Sequence, residues 1–247
     1  MKRTGHALVV LALTLLTQLG GLAWLAALAF RRRWIAFPVA YVLIWLAAQA
    51  LAPLAGRVAL PCRGEPLRAQ SLFYCAAMRN FATPAAAAVA RDAAAAVAVE
   101  YPGTVTLYLD AGFPFLDGMP VIPHLSHADG RKIDFAFYYA QDGEYLPGVT
   151  RSPLGYFAFE SLSAEACPAR WPTLRWDLRA LQPLWRGLDL EPQRTGALVR
   201  ALVHQPEIGK VFVEPALAIR LGLSDEKIRF QGCRAARHDD HIHAQLR

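Results

Sequence analysis

The sequence predicts an α+β domain with a mainly antiparallel sheet, carried behind two N-terminal transmembrane helices. Three observations predict it. Residues 7–30 and 34–56 are two apolar runs that contain no charged residue. The remaining stretch, 57–247, is long enough to bury one core. Within it, alternating β-rich pieces are mixed with helical ones, and no internal repeat is visible.

Each apolar run exceeds the ~20 residues that cross a bilayer. Arg31, Arg32 and Arg33 separate them, so residues 1–56 read as a helical hairpin with a tight loop. A cleaved signal peptide is the alternative for the first run, with Lys2 and Arg3 as its basic start. The arginine loop favours the cytoplasm, which puts both termini outside, while Lys2 and Arg3 pull the other way. Residues 57–66, with Pro61, Gly64 and Pro66, read as a linker, and 67–247 as the domain.

Thr83-Pro84 opens an alanine-rich helix to about Glu100, with Thr83 as its N-cap, and Pro102-Gly103 ends it. Thr104 to Asp110 alternates and reads as a strand. Ile133 to Tyr139 reads as a second, with Asp134, Ala136 and Tyr138 on one face. Residues 140–185 carry Gly, Pro and Trp without period and read as a long excursion, a candidate substrate-binding insertion. A helix follows Pro192 over 192–205, then a short strand at Lys210–Val213 and a short helix at Pro215–Leu221 ended by Gly222. Ile228–Phe230 and His241–Leu246 read as the final strands.

The net charge is +6, but residues 1–56 hold five of the 26 basic residues and no Asp or Glu. The rest carries 21 basic against 20 acidic residues, so no nucleic-acid footprint is present. The four cysteines, Cys62, Cys75, Cys167 and Cys233, form no CxxC, which excludes a zinc finger by spacing. In an exported domain they allow two disulfides in any of three pairings; free buried thiols are the alternative.

Five of the seven histidines lie in two short polar segments. The first is His124-Leu125-Ser126-His127-Ala128-Asp129-Gly130-Arg131-Lys132-Ile133-Asp134. The second is His238-Asp239-Asp240-His241-Ile242-His243. A histidine and an aspartate from the first, with a histidine from the second, make three ligands. They leave a fourth tetrahedral position open, as in a catalytic rather than a structural zinc site. His127 and Asp134 are seven apart, too far for one strand and wrong for one helix face. A turn around Asp129-Gly130 is expected to fold His127 back over the start of the strand at Asp134. His241 and His243 share a strand face, so one can bind metal while the other serves a reaction.

These segments resemble the signature of the LAS group of zinc peptidases, which includes lysostaphin-type and D-Ala-D-Ala peptidases and the hedgehog fold. The resemblance is nearest to penicillin-insensitive murein endopeptidases, through His124-Leu125-Ser126-His127 before Gly130 and Asp134, and through His238-x-x-His241-x-His243. Lys210-Val211-Phe212-Val213-Glu214-Pro215-Ala216 is similar to that family's strand-to-helix step. The similarity covers roughly residues 105–247 and leaves out the hairpin.

The resemblance implies a hedgehog/D-Ala-D-Ala-peptidase-like domain with Zn2+ held by His127, Asp134 and His243. It implies His241 as the active-site histidine, Asp240 or His238 as proton acceptor, and His124 and Ser126 as contacts behind the ligands or to substrate. The implied activity is hydrolysis of peptidoglycan stem peptides or crosslinks at the outer face of a bacterial inner membrane, the domain facing the periplasm. D,D- or L,D-carboxypeptidase activity on the same substrate class is one alternative. A catalytically silent wall-binding or regulatory protein is another, and a zinc peptidase on proteins a third. Trp171, Trp176 and Trp185 read as core rather than as a platform. His204 reads as an ordinary helix residue.

Overall fold

The apolar N-terminus forms three helices, α1 (Arg3–Thr17), α2 (Gly20–Ala27) and α3 (Arg33–Leu51). The structure, a computed structural model, describes residues 3–122, 124, 126–160, 167, 168, 171–176 and 178–247. Lys2 and Leu125 lie outside the described residues, as do 161–166, 169, 170 and 177 of the long excursion.

The first apolar run is not one span. Gln18 takes a left-handed φ of 64° and separates α1 from α2. The Thr17 hydroxyl accepts from Gly20 N–H, and the chain folds back so that α2 packs on α1. Gly20 and Gly21 permit that approach: a Cβ on Gly21 would lie 2.0 Å from the Thr14 hydroxyl. Among the described residues one helix, Arg33–Ala55 with its final 3-10 turn, is long and apolar enough to cross a membrane.

Residues 57–62 are packed, and Arg63, Gly64 and Glu65 are exposed. β1 (Val58–Ala59) leads through β2 (Leu67–Ala69) and α4 (Leu72–Ala76) to β3 (Phe81–Ala82), which pairs antiparallel with β1. Leu60 is buried, and the Cys62–Cys75 disulfide ties the segment to α4. Helix α3 is fastened to the same place. Tyr41 O–H donates to the Ala76 carbonyl at 2.6 Å, and Trp45 Nε1–H to that of Cys75 at 2.8 Å.

Helix α5 (Pro84–Glu100) begins where Thr83 accepts from Ala86 N–H, as its capping residue should. Then come β4 (Thr106–Tyr108), β5 (Lys132–Ala136), β6 (Tyr139–Gln141), β7 (Glu144–Tyr145) and β8 (Asp189–Leu190). Helix α6 (Pro192–His204), β9 (Ile208–Phe212), α7 (Pro215–Arg220), β10 (Ile228–Arg229) and β11 (His241–Leu246) complete the chain. The main sheet has the order β10-β9-β11-β5-β4-β2. Its inner pairings are antiparallel, but β10 on β9 and β2 on β4 are parallel, so the sheet is mixed. Helical crossovers account for this: α5 returns the chain from β2 toward β4, and α7 from β9 toward β10. The excursion contributes a small antiparallel sheet, β7-β6-β8.

Ile133, Phe135, Ile242 and Ala244 bury one sheet face in a core with the small face of α5 and with α6. Alternation then turns Asp134, His241 and His243 to the other face.

Candidate metal centre

Two adjacent strands make the base of the site. β11 pairs antiparallel with β5 in a register that sets His243 directly opposite Asp134, and His241 opposite Ala136. Directly opposed residues on one face are the closest neighbours a sheet offers. His127 comes from the loop before β5. Gly130, at φ 66°, turns the chain into the strand and lets the loop fold back, as its spacing predicts.

The three side chains meet. His127 Nε2 lies 3.1 Å from Asp134 Oδ1 and 3.2 Å from His243 Nδ1, and His243 Nδ1 lies 2.8 Å from Asp134 Oδ1. All three are buried. His127 Nδ1–H donates to the Ala111 carbonyl at 2.8 Å, which fixes the tautomer and leaves Nε2 with its lone pair. In the neutral ring that lone pair faces a carboxylate oxygen, so two acceptors meet. A cation between the three donors resolves the conflict. Ligand bonds of about 2.0–2.2 Å at a tetrahedral ion separate donor atoms by roughly 3.4 Å. The observed separations of 2.8–3.2 Å are near that value. The residues present therefore fit a metal ion. Two further donor sets adjoin it, His124 with Asp134 and His241, and His238 with His241 and His243. In the former, His241 Nε2 is 3.8 Å from Asp134 Oδ2, a looser grouping.

Asp134 uses its other oxygen differently. Oδ2 accepts from Tyr156 O–H at 2.7 Å and faces His124 Nδ1 at 3.1 Å. Both groups also reach Asp110, whose carboxylate is gripped by Arg79 in two bonds of 2.6 and 2.7 Å. Arg79, Asp110 and Tyr156 were not singled out in the sequence. Asp110 is the one charged residue of the stretch Thr104–Asp110, which is a weak signal; Tyr156 sits in the aperiodic excursion and gives none.

On the open side, His241 Nδ1 is 2.5 Å from Asp240 Oδ1, so His241 presents Nε2 toward Asp134. Asp240 Oδ2 accepts from Phe157 N–H at 2.5 Å. Both oxygens of Asp240 are thus engaged. His238, whose backbone N–H donates to Glu214, is buried with Nδ1 unpartnered, and so is His243 Nε2. A cavity of about 230 Å³ opens beside these rings. Its polar wall includes His124, Ser126, His238, Asp240, His241 and His243, with Gln231 and Arg237 beside them; its apolar wall includes Phe157, Phe159, Leu174 and Trp176, all from the long excursion. The core reading of Trp171 and Trp176 fails, since they are 88% and 50% exposed; Trp176 lines the cavity, whereas Trp171 and Trp185 do not, and Trp185 donates to the Phe157 carbonyl. His204 is exposed and bonds to its own helix through the Arg200 carbonyl.

Electrostatics follow from burial and neighbours. Burial opposes charge on Asp134, yet His127, His241 and His243 around it hold its carboxyl well below the usual range. Burial pushes His243 down to about 4, which makes it the neutral imidazole that binds metals. Burial, with His241 and His243 nearby, likewise lowers His238 far below its ordinary value. Burial disfavours charge on His241 too, but Asp240 and Asp134 outweigh it and raise the pKa. His124 is pushed up to about 10, because Asp110 and Asp134 overcome its burial. No family model matches this chain, and no curated protein matches it.

Proposed function

We propose that this chain is a membrane-anchored zinc metallopeptidase of the LAS type, with a hedgehog/D-Ala-D-Ala-peptidase-like domain. Its substrates would be peptidoglycan stem peptides or their crosslinks, and its domain would face the periplasm. One observation carries the reading: three lone-pair donors from β5, β11 and the loop between β4 and β5 converge beside a histidine backed by a carboxylate. The quoted motifs supply the substrate class. The anchor is α3, with the arginine loop at its cytoplasmic end; two disulfides suit a domain in an oxidising compartment.

His127, Asp134 and His243 would hold the zinc. A zinc ion there supplies Lewis acidity, which polarises a carbonyl and makes water more acidic. The chain's own residues do the rest. His241, held by Asp240, directs Nε2 at the reacting oxygen and stabilises charge that develops on it. Asp240 acts through His241, since both its oxygens are engaged. His238 keeps an unpartnered ring nitrogen and is one candidate proton acceptor; Asp240 is the other. His238 is a weak one, because burial and the neighbouring rings hold its pKa far below the ordinary value. The apolar wall of the cavity excludes water from the bound peptide.

The test is metal content by mass spectrometry of the detergent-solubilised full chain beside His127→Ala and His243→Ala. The expected result is one zinc per chain in the wild type and none in either variant, with release of cleaved muropeptides from purified wall by the wild type alone. A folded wild type that takes up no added zinc would sink the reading. Zinc without turnover would move it to the wall-binding alternative.

A further inference from the structure

The N-terminal helices touch the metal loop directly. Gln18 is the one amide side chain in the first apolar run, and it sits at the break between α1 and α2, only 5% exposed. Its Oε1 accepts from Phe115 N–H at 3.0 Å, and its Nε2 donates to the Leu116 carbonyl at 3.3 Å. A buried amide with both ends matched to consecutive backbone groups of another segment fixes that segment's position.

The segment it holds carries the metal loop at both ends. Ala111, four residues before Phe115, supplies the carbonyl that orients His127. Gly118, two residues after Leu116, donates its N–H to the Ala128 carbonyl at 2.8 Å, beside His127. A second grip comes from Arg57, just after the 3-10 turn that ends the third helix. Its buried guanidinium pairs with Asp117 and runs under Gly130, where a Cβ would lie 2.5 Å from Nε.

We propose that Gln18 and Arg57 are positioning residues for His127, and that the N-terminal helices are scaffold of the metal centre rather than a detachable anchor. The inference rests on the zinc reading for its ligand and goes beyond it by making metal affinity depend on residues outside the domain. It also implies that residues 57–247 expressed alone lose affinity through the loop even where the sheet folds.

The full chain in detergent is the object to test, with Gln18→Ala, and with Leu22→Ala on the exposed side of α2 as control. Zinc affinity is read by chelator competition, and amide exchange is read over 113–131 and over α5. Gln18→Ala is expected to weaken zinc roughly 10–100-fold, as loss of groups behind metal ligands does, and to speed exchange in 113–131. α5 should be unaffected, and Leu22→Ala should change neither readout. Unchanged affinity and unchanged exchange in folded Gln18→Ala would overturn the proposal. If Gln18→Ala does not fold, Gln18→Glu keeps the acceptor for Phe115 and drops the donor to Leu116, and the same signs are expected at smaller size. A wild type that binds no zinc defeats the metal reading instead, and exchange in 113–131 then decides the coupling alone.

Discussion

Asp134 divides its two oxygens between different tasks, and each half can be removed separately. Oδ1 faces His127 and His243, whereas Oδ2 takes the Tyr156 hydroxyl. Asp134→Asn replaces one oxygen by a donor and removes the charge, so zinc binding is expected to be lost while the fold persists. Tyr156→Phe removes only the hydroxyl behind Oδ2. It is expected to weaken zinc about 10–100-fold, read by chelator competition, and an unchanged affinity would show that Oδ2 needs no support. The two candidate proton acceptors separate by kinetics. His238→Ala should lower kcat about 100-fold or more with zinc content kept. Asp240→Asn acts through His241, whose pKa Asp240 helps to raise against burial. If the imidazolium is the working form, activity falls as pH rises through that pKa. Lowering it in Asp240→Asn should therefore move the alkaline limb of the kcat profile to lower pH. A limb that stays in place would remove His241's charge from the mechanism.

Among the elements, strand alternation was readable and the turns behind it less so. The His-x-His of β11 and the Asp of β5 lie on a common face because period two is a local property of each strand. The direct register of His243 on Asp134 is not local, since pairing partners far apart in sequence leave no mark in either strand. The same reason hid Asp110, Arg79 and Tyr156, whose roles exist only once the loop, the turn between α4 and β3 and the excursion meet. Gln18 was misleading for another cause: a single amide in an apolar run costs little in composition, so the run still reads as one helix. Gly130 was legible, because a turn was needed between His127 and Asp134. It carries two constraints, a φ of 66° and the Arg57 guanidinium where a Cβ would stand. Gly130→Ala is expected to cost about 1–3 kcal/mol of stability by thermal or chemical unfolding, and to weaken zinc as His127 is displaced. Stability equal to wild type would mean the loop relaxes freely.

At the scale of the molecule, the metal centre is a junction between parts that sequence leaves distant. β5 and β11 come from the sheet, His127 from a loop held by the N-terminal helices, and the cavity wall from the excursion. The Cys167–Cys233 disulfide ties that excursion to the segment before β11. An ion at such a junction binds the folded chain and finds no preformed site in the unfolded one, so its binding free energy adds to stability. At free zinc about 100 times the dissociation constant, the gain is about 2.7 kcal/mol. For a chain of this size each kcal/mol moves Tm by roughly 2–4 °C, so stripping zinc with a chelator should lower Tm by roughly 5–11 °C. Re-addition of zinc should restore it. His243→Ala removes a ligand from β11 without touching the helices or the disulfides, so its Tm should ignore both chelator and zinc. A wild type whose Tm is also indifferent, while it still holds zinc by mass, would place the ion outside the junction and move the search to the exposed surface.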